Sequence, residues 1–465
     1  MLLISNVTAV TMDSRRRVIR DAAVAIDGDQ ISAVDKSSVL EARHPDAELL
    51  DGEGMLAVPG LIDTHAHTPQ ALLRSAADDV GWRPYLERFI WPMQGVFGPR
   101  EALASIQLTM LEMVKSGTTC FVDPLMQSAY KVDALAQAVV DSGMRAILAK
   151  SVMDQASLVE QRGAIDPRMI ETEEQSLAAA LDAIKNWNGA GDDRLRIWFG
   201  PRVPREPATA CSPGFYSKVS RLAADHGVGI TVHLAGEKDD LAFFAREYGQ
   251  TPVEFAAANG LLGSNVLLAM AVWVAEPEVP RLAETCTGVA HCPSANMKLA
   301  SGIAKVPAMR SAGVAVGLGC DSGANNNCYD MVREMKAASL LQSVALGHAD
   351  ALTAEDALEM ATIEGARAIG WSDQIGSLEP GKQADVVLIR QREAHSMPCL
   401  DPIANLVYAN HGGDVDSVLV AGRLLMRGRH VLTLNEDAIL DEAAELATAV
   451  VERSGVAVAT SWPVS

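Results

Sequence analysis

Between residues 57 and 321 the chain alternates short apolar runs with longer stretches of helical period, and this alternation constrains the fold more than any other feature. The runs are AVPGLID (57–63), TTCFVD (118–123), RAILAK (145–150), LRIWFG (195–200), GITVHL (229–234), VLLAMAV (266–272), TGVAHC (287–292) and VAVGLGCD (314–321). Stretches such as EALASIQLTMLEMVKS (101–116) and VDALAQAVVDSG (132–143) lie between them. Strands alternating with helices are the pattern of a parallel sheet with crossover helices. Eight such strands fit a closed (β/α)8 barrel. The competitor is a doubly wound open sheet, but no GxGxxG follows an early strand to mark its dinucleotide crevice.

Two β-patterned stretches flank this middle: the first fifty residues, with the turn signal Asp27-Gly28-Asp29, and the runs ADVVLIR (384–390) and DSVLVAGRLLMRGR (416–429). Strands from opposite ends of a chain can pair into one small domain. The expected organisation is a small β-sandwich from residues 1–56 and 376–432, a barrel over 57–375, and a C-terminal helix and tail over 433–465. A chain of 465 residues suits a large barrel with such a satellite. The stretch EDAILDEAAELATAVVERS (436–454) reads as an acidic amphipathic helix, for packing or for oligomer contacts.

With 59 acidic against 39 basic residues the formal net charge is −20, a field that repels polyanions and excludes nucleic acid as an expected partner. The seven cysteines, Cys120, Cys211, Cys286, Cys292, Cys320, Cys328 and Cys399, are scattered and form no CxxC pair, which fits reduced thiols. The N-terminus is apolar first and basic second, the reverse of a secretory signal. No apolar run approaches the ~20 residues that span a bilayer. The expectation is a cytoplasmic protein with no membrane partner.

Chemistry enters at strand ends. His65 and His67 in PGLIDTHAH (59–67) are two residues apart after an apolar strand, so both imidazoles can reach one metal. His233 ends GITVHL and Asp321 ends VAVGLGCD, at the same relative place. Alone, either is as well explained by a hydrogen-bonded histidine or a helix-capping aspartate. Three histidines and a carboxylate at three strand ends suit one divalent metal, zinc first, with cobalt, iron or manganese as alternatives.

PGLIDTHAH, LLRSAADD (72–79), EMVKSGTTCFVD (112–123), AHCPSANMKLASGIAKVPAM (290–309), GVAVGLGCDSGANNN (313–327), LEMATIEGARAIG (358–370) and IGSLEPGKQADVVLI (375–389) together resemble the amidohydrolase superfamily, and within it the triazine hydrolases and cytosine-deaminase-like enzymes. The resemblance covers nearly the whole chain. It implies a metal-bearing (β/α)8 barrel flanked by a small β-sandwich, a homo-oligomer, and His65, His67, His233 and Asp321 as ligands. Two-metal relatives carry a carboxylated lysine on the fourth strand; LRIWFGP (195–201) has no lysine, so one metal is expected, and Lys150 is read as an ordinary basic residue.

Two departures from the family pattern bear on the reaction. Where relatives place a proton-shuttling glutamate three residues after the fifth-strand histidine, this chain has Gly236, with Glu237 one residue late. Where relatives end the sixth strand in histidine before AVWV, it has Met270. Deaminating an aromatic ring benefits from an acid near the ring nitrogen, whereas expelling a thiolate or an amine from a carbonyl carbon needs it less. Met270 also makes the pocket more apolar. The resulting expectation is hydrolysis of a C–N or C–S bond in a small neutral urea, carbamate or thiocarbamate, in the style of the phenylurea and thiocarbamate hydrolases that degrade xenobiotics. Asp321 is the expected base. Two alternatives stand: a deaminase or dechlorinase of an N-heterocycle, with Glu237 as replacement acid, and a non-catalytic barrel. His291, Ser294 and Asn296 in AHCPSAN are candidate substrate contacts, His291 also as a catalytic group; Trp82, with Tyr85, Phe89 and Trp91, is a candidate cap over the pocket.

Overall fold

The computed structural model describes residues 1–157, 165–203 and 211–458; the tail expected over 459–465 lies outside the described residues. The N-terminal strands are β1 (Leu2–Val10), β2 (Val18–Asp27), β3 (Gln30–Lys36), β4 (Glu48–Asp51) and β5 (Met55–Pro59). The barrel follows as β6 (Leu61–Asp63), with the short β7 (Ala66–His67) just beyond it, then β8 (Thr118–Met126), β9 (Arg145–Val152), β10 (Leu195–Pro201), β11 (Ile230–Leu234), β12 (Val266–Met270), β13 (Gly288–His291) and β14 (Val316–Leu318), with β15 (Asp321–Ser322) just after it. The chain returns through β16 (Val386–Arg390), β17 (Val415–Val420), β18 (Arg423–Arg427) and β19 (His430–Val431).

All eight barrel strands hydrogen-bond to their sequence neighbours in parallel, in the order β6-β8-β9-β10-β11-β12-β13-β14. Every residue of β9 is buried, as expected for a strand covered on both faces. First and last strands are joined by the backbone N–H and hydroxyl of Thr64, each donating to the Leu318 carbonyl at 2.8 Å. A little further on β7 pairs with β15, Ala66 opposite Asp321. Gly319 permits this closure, because a Cβ there would lie 2.8 Å from the Cβ of His65.

Strands from both chain ends form a second sheet, in which β5 bridges them by pairing in parallel with β1 and antiparallel with β16. Its strands pair in the continuous order β19-β18-β17-β16-β5-β1-β2-β3 with β4 beside β1, the small β domain expected from the two chain ends. Alternation along the strands explains how one sheet serves two cores. Ala57, Val386 and Leu388 join Ile4, Val24 and Leu419 in a core of their own, while Val58, Val387 and Ile389 face the barrel. Arg145 and Asp385, both buried, tie barrel to sheet through contacts of 3.2 and 3.3 Å. The helix Glu436–Ser454 packs within the chain: Lys115 and Arg453 pair with Glu436 and Glu101, each at 2.7 Å, and Ile439, Leu446 and Val450 are buried. No helix among the described residues is long and apolar enough to cross a membrane.

Candidate metal centre and its cavity

Strand geometry delivers the four expected ligands to one point. His65 and His67 leave the first strand, His233 comes from β11, and Asp321 opens β15 against β7. The three imidazoles lie with centroids 4.7–5.3 Å apart. Nε2 of His67 faces Nε2 of His233 at 3.3 Å. Asp321 Oδ1 is 3.5 Å from His67 Nε2 and 3.9 Å from His65 Nε2. Tetrahedral ligands about 2.0 Å from a zinc ion stand roughly 3.3 Å apart, so this spacing fits a single small cation. Hydrogen bonding agrees: both ring nitrogens of His65 and Oδ2 of Asp321 are buried with no partner among the described residues. Buried polar atoms without partners are rare and point to a missing ion or water.

The electrostatics suit a cation. Burial, helped by the neighbouring imidazoles, holds His65 well below the usual histidine range, and burial holds His67 at about 4, so both are neutral near pH 7. Burial pushes the Asp321 carboxyl up to about 7. Two neutral imidazoles and a carboxyl reluctant to ionise are a ligand set short of positive charge. Asp63 braces it, its Oδ1 accepting from the N–H groups of His65 and Cys320, each at 3.1 Å. Tyr329 donates to the His67 carbonyl at 2.8 Å. Asp321 itself has φ of +64°, a left-handed backbone that aspartate tolerates and that turns its side chain inward.

The cavity above this point includes His67, His233 and Asp321 in its wall, together with Gly236, Glu237 and Met270. Trp82, Tyr85, Leu86 and Trp91 cover it from the segment after the first strand, and Leu125, Ile165, Met169 and Leu299 extend the apolar wall. Of the aromatic cap, Phe89 does not reach it. Glu237 begins the helix Lys238–Tyr248 and accepts from the Ser301 hydroxyl at 2.5 Å.

Other expected site residues fall elsewhere. His291, Ser294 and Asn296 do not line the cavity. His291 is fully buried with neither ring nitrogen partnered among the described residues, Ser294 donates its backbone N–H to Glu334 at 3.3 Å, and Asn296 is buried. The helix Pro293–Lys298 follows β13 at once, and on it Pro293, Ala295 and Asn296 are buried. Asn325 combines roles, accepting from the Ser322 N–H at 3.0 Å while lining the cavity. Lys150 is buried and paired with Glu171 at 2.9 Å.

Four polar residues of the wall carried no expectation: Gln70, Gln94, Gln127 and Arg202. Arg202 was findable, since it stands just beyond β10, the place where barrel sites are built. Cys292 was also missed; its Sγ lies within 4.8 Å of ligand atoms of His65 and Asp321. A second grouping, His395, His411 and Asp414, sits on the surface. There the Gly413 N–H donates to His411 Nδ1 at 3.0 Å, which leaves the proton of a neutral ring on Nε2, the atom that faces Asp414, and so opposes metal ligation.

Comparison with known proteins agrees with this geometry. Residues 56–425 match the model of the amidohydrolase family. Over 453 residues the chain is 40% identical to a 5-methylthioadenosine/S-adenosylhomocysteine deaminase of Pelotomaculum thermopropionicum, covering 97% of this chain and 99% of the relative. A solved adenosine deaminase from Xanthomonas campestris with bound zinc superposes with a TM-score of 0.90 at 28% identity, covering 97% of this chain and 98% of the other. The zinc complex of the atrazine chlorohydrolase TrzN from Arthrobacter aurescens gives a TM-score of 0.88 at 26% identity, over 96% and 100% of the two chains.

Proposed function

This chain belongs to the amidohydrolase family, and we propose that it is a mononuclear metal hydrolase cleaving a C–N or C–S bond at the carbonyl carbon of a small, largely apolar urea, carbamate or thiocarbamate. The observation that carries this reading is the pair Gly236 and Met270. Both line the cavity with the ligand set, and neither holds a proton that it could transfer. Met270 stands opposite Leu234 in the ladder, one step beyond His233, so it borders the reacting point.

His65, His67, His233 and Asp321 would hold the metal, zinc by analogy with the zinc-bearing structures. A divalent cation there supplies Lewis acidity and brings the pKa of bound water towards about 7. Asp321 takes the proton from the attacking water. As the water oxygen bonds to the carbonyl carbon and the C–S or C–N bond breaks, Asp321 passes that proton to the departing sulfur or nitrogen. A thiolate leaves without needing a second acid, which is why the reaction tolerates Gly236 and Met270. Trp82 and Trp91 limit water over the site, and the apolar wall holds the body of the substrate.

A second reading, deamination of an adenosine-type ring, is favoured by the 40% identity to deaminases and by Glu237, whose side chain borders the cavity close enough for its charge to act on Asp321. One assay separates the two. The zinc-loaded protein is given an S-ethyl dialkylthiocarbamate, a phenylurea and 5′-deoxyadenosine, and thiol, aniline and ammonia are followed. Thiol or aniline release supports the first reading; rapid ammonia release from the nucleoside alone overturns it.

A further inference from the structure

Arg202 has no assigned task, and its surroundings are unusual for a buried cation. It sits just past β10, three residues beyond Phe199, which pairs with Ile230; His233 lies three residues beyond Ile230 on the neighbouring strand. Nη2 of Arg202 donates to Gln127 Oε1 at 3.0 Å and to the Met169 carbonyl at 3.3 Å. Both partners are neutral. Nε is buried with no hydrogen-bond partner, and no carboxylate within ion-pair distance of Arg202 is found among the described residues. Glu171, whose charge does reach it, is already paired with Lys150 at 2.9 Å.

A guanidinium offers five N–H groups, and a charge withdrawn from water without a counter-charge is costly. Packing does not require it here, since a methionine fills much the same volume. Arg202 lines the same cavity as His67, His233 and Asp321, and Gln94 and Gln127 line it too, beside the apolar Leu125 and Met169. A cation kept at such cost on the wall of a reaction cavity is explained by an oxygen that arrives with the substrate.

We propose that Arg202 is a substrate-binding residue whose guanidinium receives an oxygen acceptor, carbonyl or carboxylate, at the end of the substrate remote from the scissile bond. The inference rests on the hydrolase reading above and adds to it the shape of the substrate: a reacting carbon, an apolar middle and a terminal acceptor. Arg202 thereby selects among compounds sharing the same reacting group.

The test uses three S-ethyl N-methyl-N-alkylthiocarbamates with arms of equal length ending in methyl, carboxamide or carboxylate, on wild type, R202M and R202K. The expected result is a KM about tenfold or more lower for an acceptor-ended arm than for the methyl arm in wild type. R202M raises that KM to the methyl value with kcat nearly unchanged, and R202K recovers part of the difference. The ranking of carboxamide against carboxylate identifies the acceptor. R202M keeps or raises the thermal midpoint, because among the described residues the side chain has no counter-charge within ion-pair distance. Equal KM for all three arms in wild type overturns the proposal, as does an R202M protein with a lowered midpoint and the same loss on every arm. Calorimetric binding of the matching tertiary amides, which keep the arms and lack the leaving group, reads the same preference without turnover. Failure of the hydrolase reading and failure of the Arg202 contact are therefore separate results.

Discussion

Metal uptake should depend on pH through one proton, and that proton is on Asp321. Burial raises its carboxyl to about 7, whereas His67 is held at about 4 and His65 well below its usual value. Between pH 5 and 8 His65 and His67 are already neutral, and of these three groups only Asp321 must change state to become a ligand. With a pKa of about 7, roughly 1% of the carboxyl is ionised at pH 5 and about 90% at pH 8. Apparent affinity should therefore rise about 90-fold over that range, or roughly 2.7 kcal/mol. Linkage gives the sign for folding. The metal-free native state keeps a proton that the unfolded chain releases near 3.8, so the Asp321 contribution to stability is lost as pH rises from about 4 to about 7. Binding the cation removes that penalty, and the gap in thermal midpoint between metal-loaded and metal-free protein should widen from pH 5 to 8. Competition against a calibrated chelator, supported by calorimetry in buffers of different ionisation heat, measures both affinity and protons released. Asp321→Asn should flatten the pH dependence. A flat wild-type profile, or one that Asp321→Asn leaves unchanged, would refute the assignment of a protonated Asp321 carboxyl.

Four further outcomes follow from single contacts. Asp321→Asn should lower turnover by at least about 10³, since it removes the base, as read by kcat at saturating metal. Gly319→Ala should reduce bound metal per chain while circular dichroism stays unchanged, because its Cβ would stand 2.8 Å from His65 Cβ and 3.0 Å from the His65 backbone N and O. Asp385→Ala leaves Arg145 buried without its partner and should cost about 3–5 kcal/mol in denaturant unfolding, much of it regained in the Arg145→Met, Asp385→Ala double variant. Gly236→Glu with Met270→His should gain ammonia release from 5′-deoxyadenosine while losing thiocarbamate hydrolysis; a double variant inert towards the nucleoside would count against the reading of these two positions.

The barrel was legible because buried parallel strands are near-continuous apolar runs, and β9 and β10 stand where RAILAK and LRIWFG placed them. The ligand set was legible for a related reason: strand ends in a barrel converge, so His65, His67, His233 and Asp321 needed only a shared register to meet. Side chains beyond the strands were less so. His291 ends β13 as expected, yet the backbone enters a helix at Pro293, and its direction was not written in AHCPSAN. The joining of the two chain ends depended on β5 pairing with both β1 and β16, a long-range choice that local alternation does not encode. Arg202 lay outside the apolar run by two residues, and its lack of a carboxylate within ion-pair distance among the described residues is a fact of three dimensions.

The backbone around Met270 bears on how such a chain changes its reaction. Met270 and Ala271 have φ of +74° and +46°, left-handed values that cost about 1–3 kcal/mol for a residue other than glycine. Neither side chain requires them. Two hydrogen bonds do: the Ala271 N–H donates to the Leu234 carbonyl at 3.1 Å, and the Trp273 N–H donates to that of Ala235 at 2.8 Å. These lock the end of β12 to the segment that follows His233, and Trp273 Nε1 donates to the Ser301 carbonyl at 2.7 Å, beside the hydroxyl that holds Glu237. The strained turn thus presents residue 270 to the cavity whatever its side chain. Under the proposed hydrolase reading, a turn kept at such cost with a thioether at residue 270 puts the change of chemistry in side chains alone. Chemistry altered in this way should be recoverable by side-chain replacement, with no rebuilding of the strand ends that hold the metal ligands.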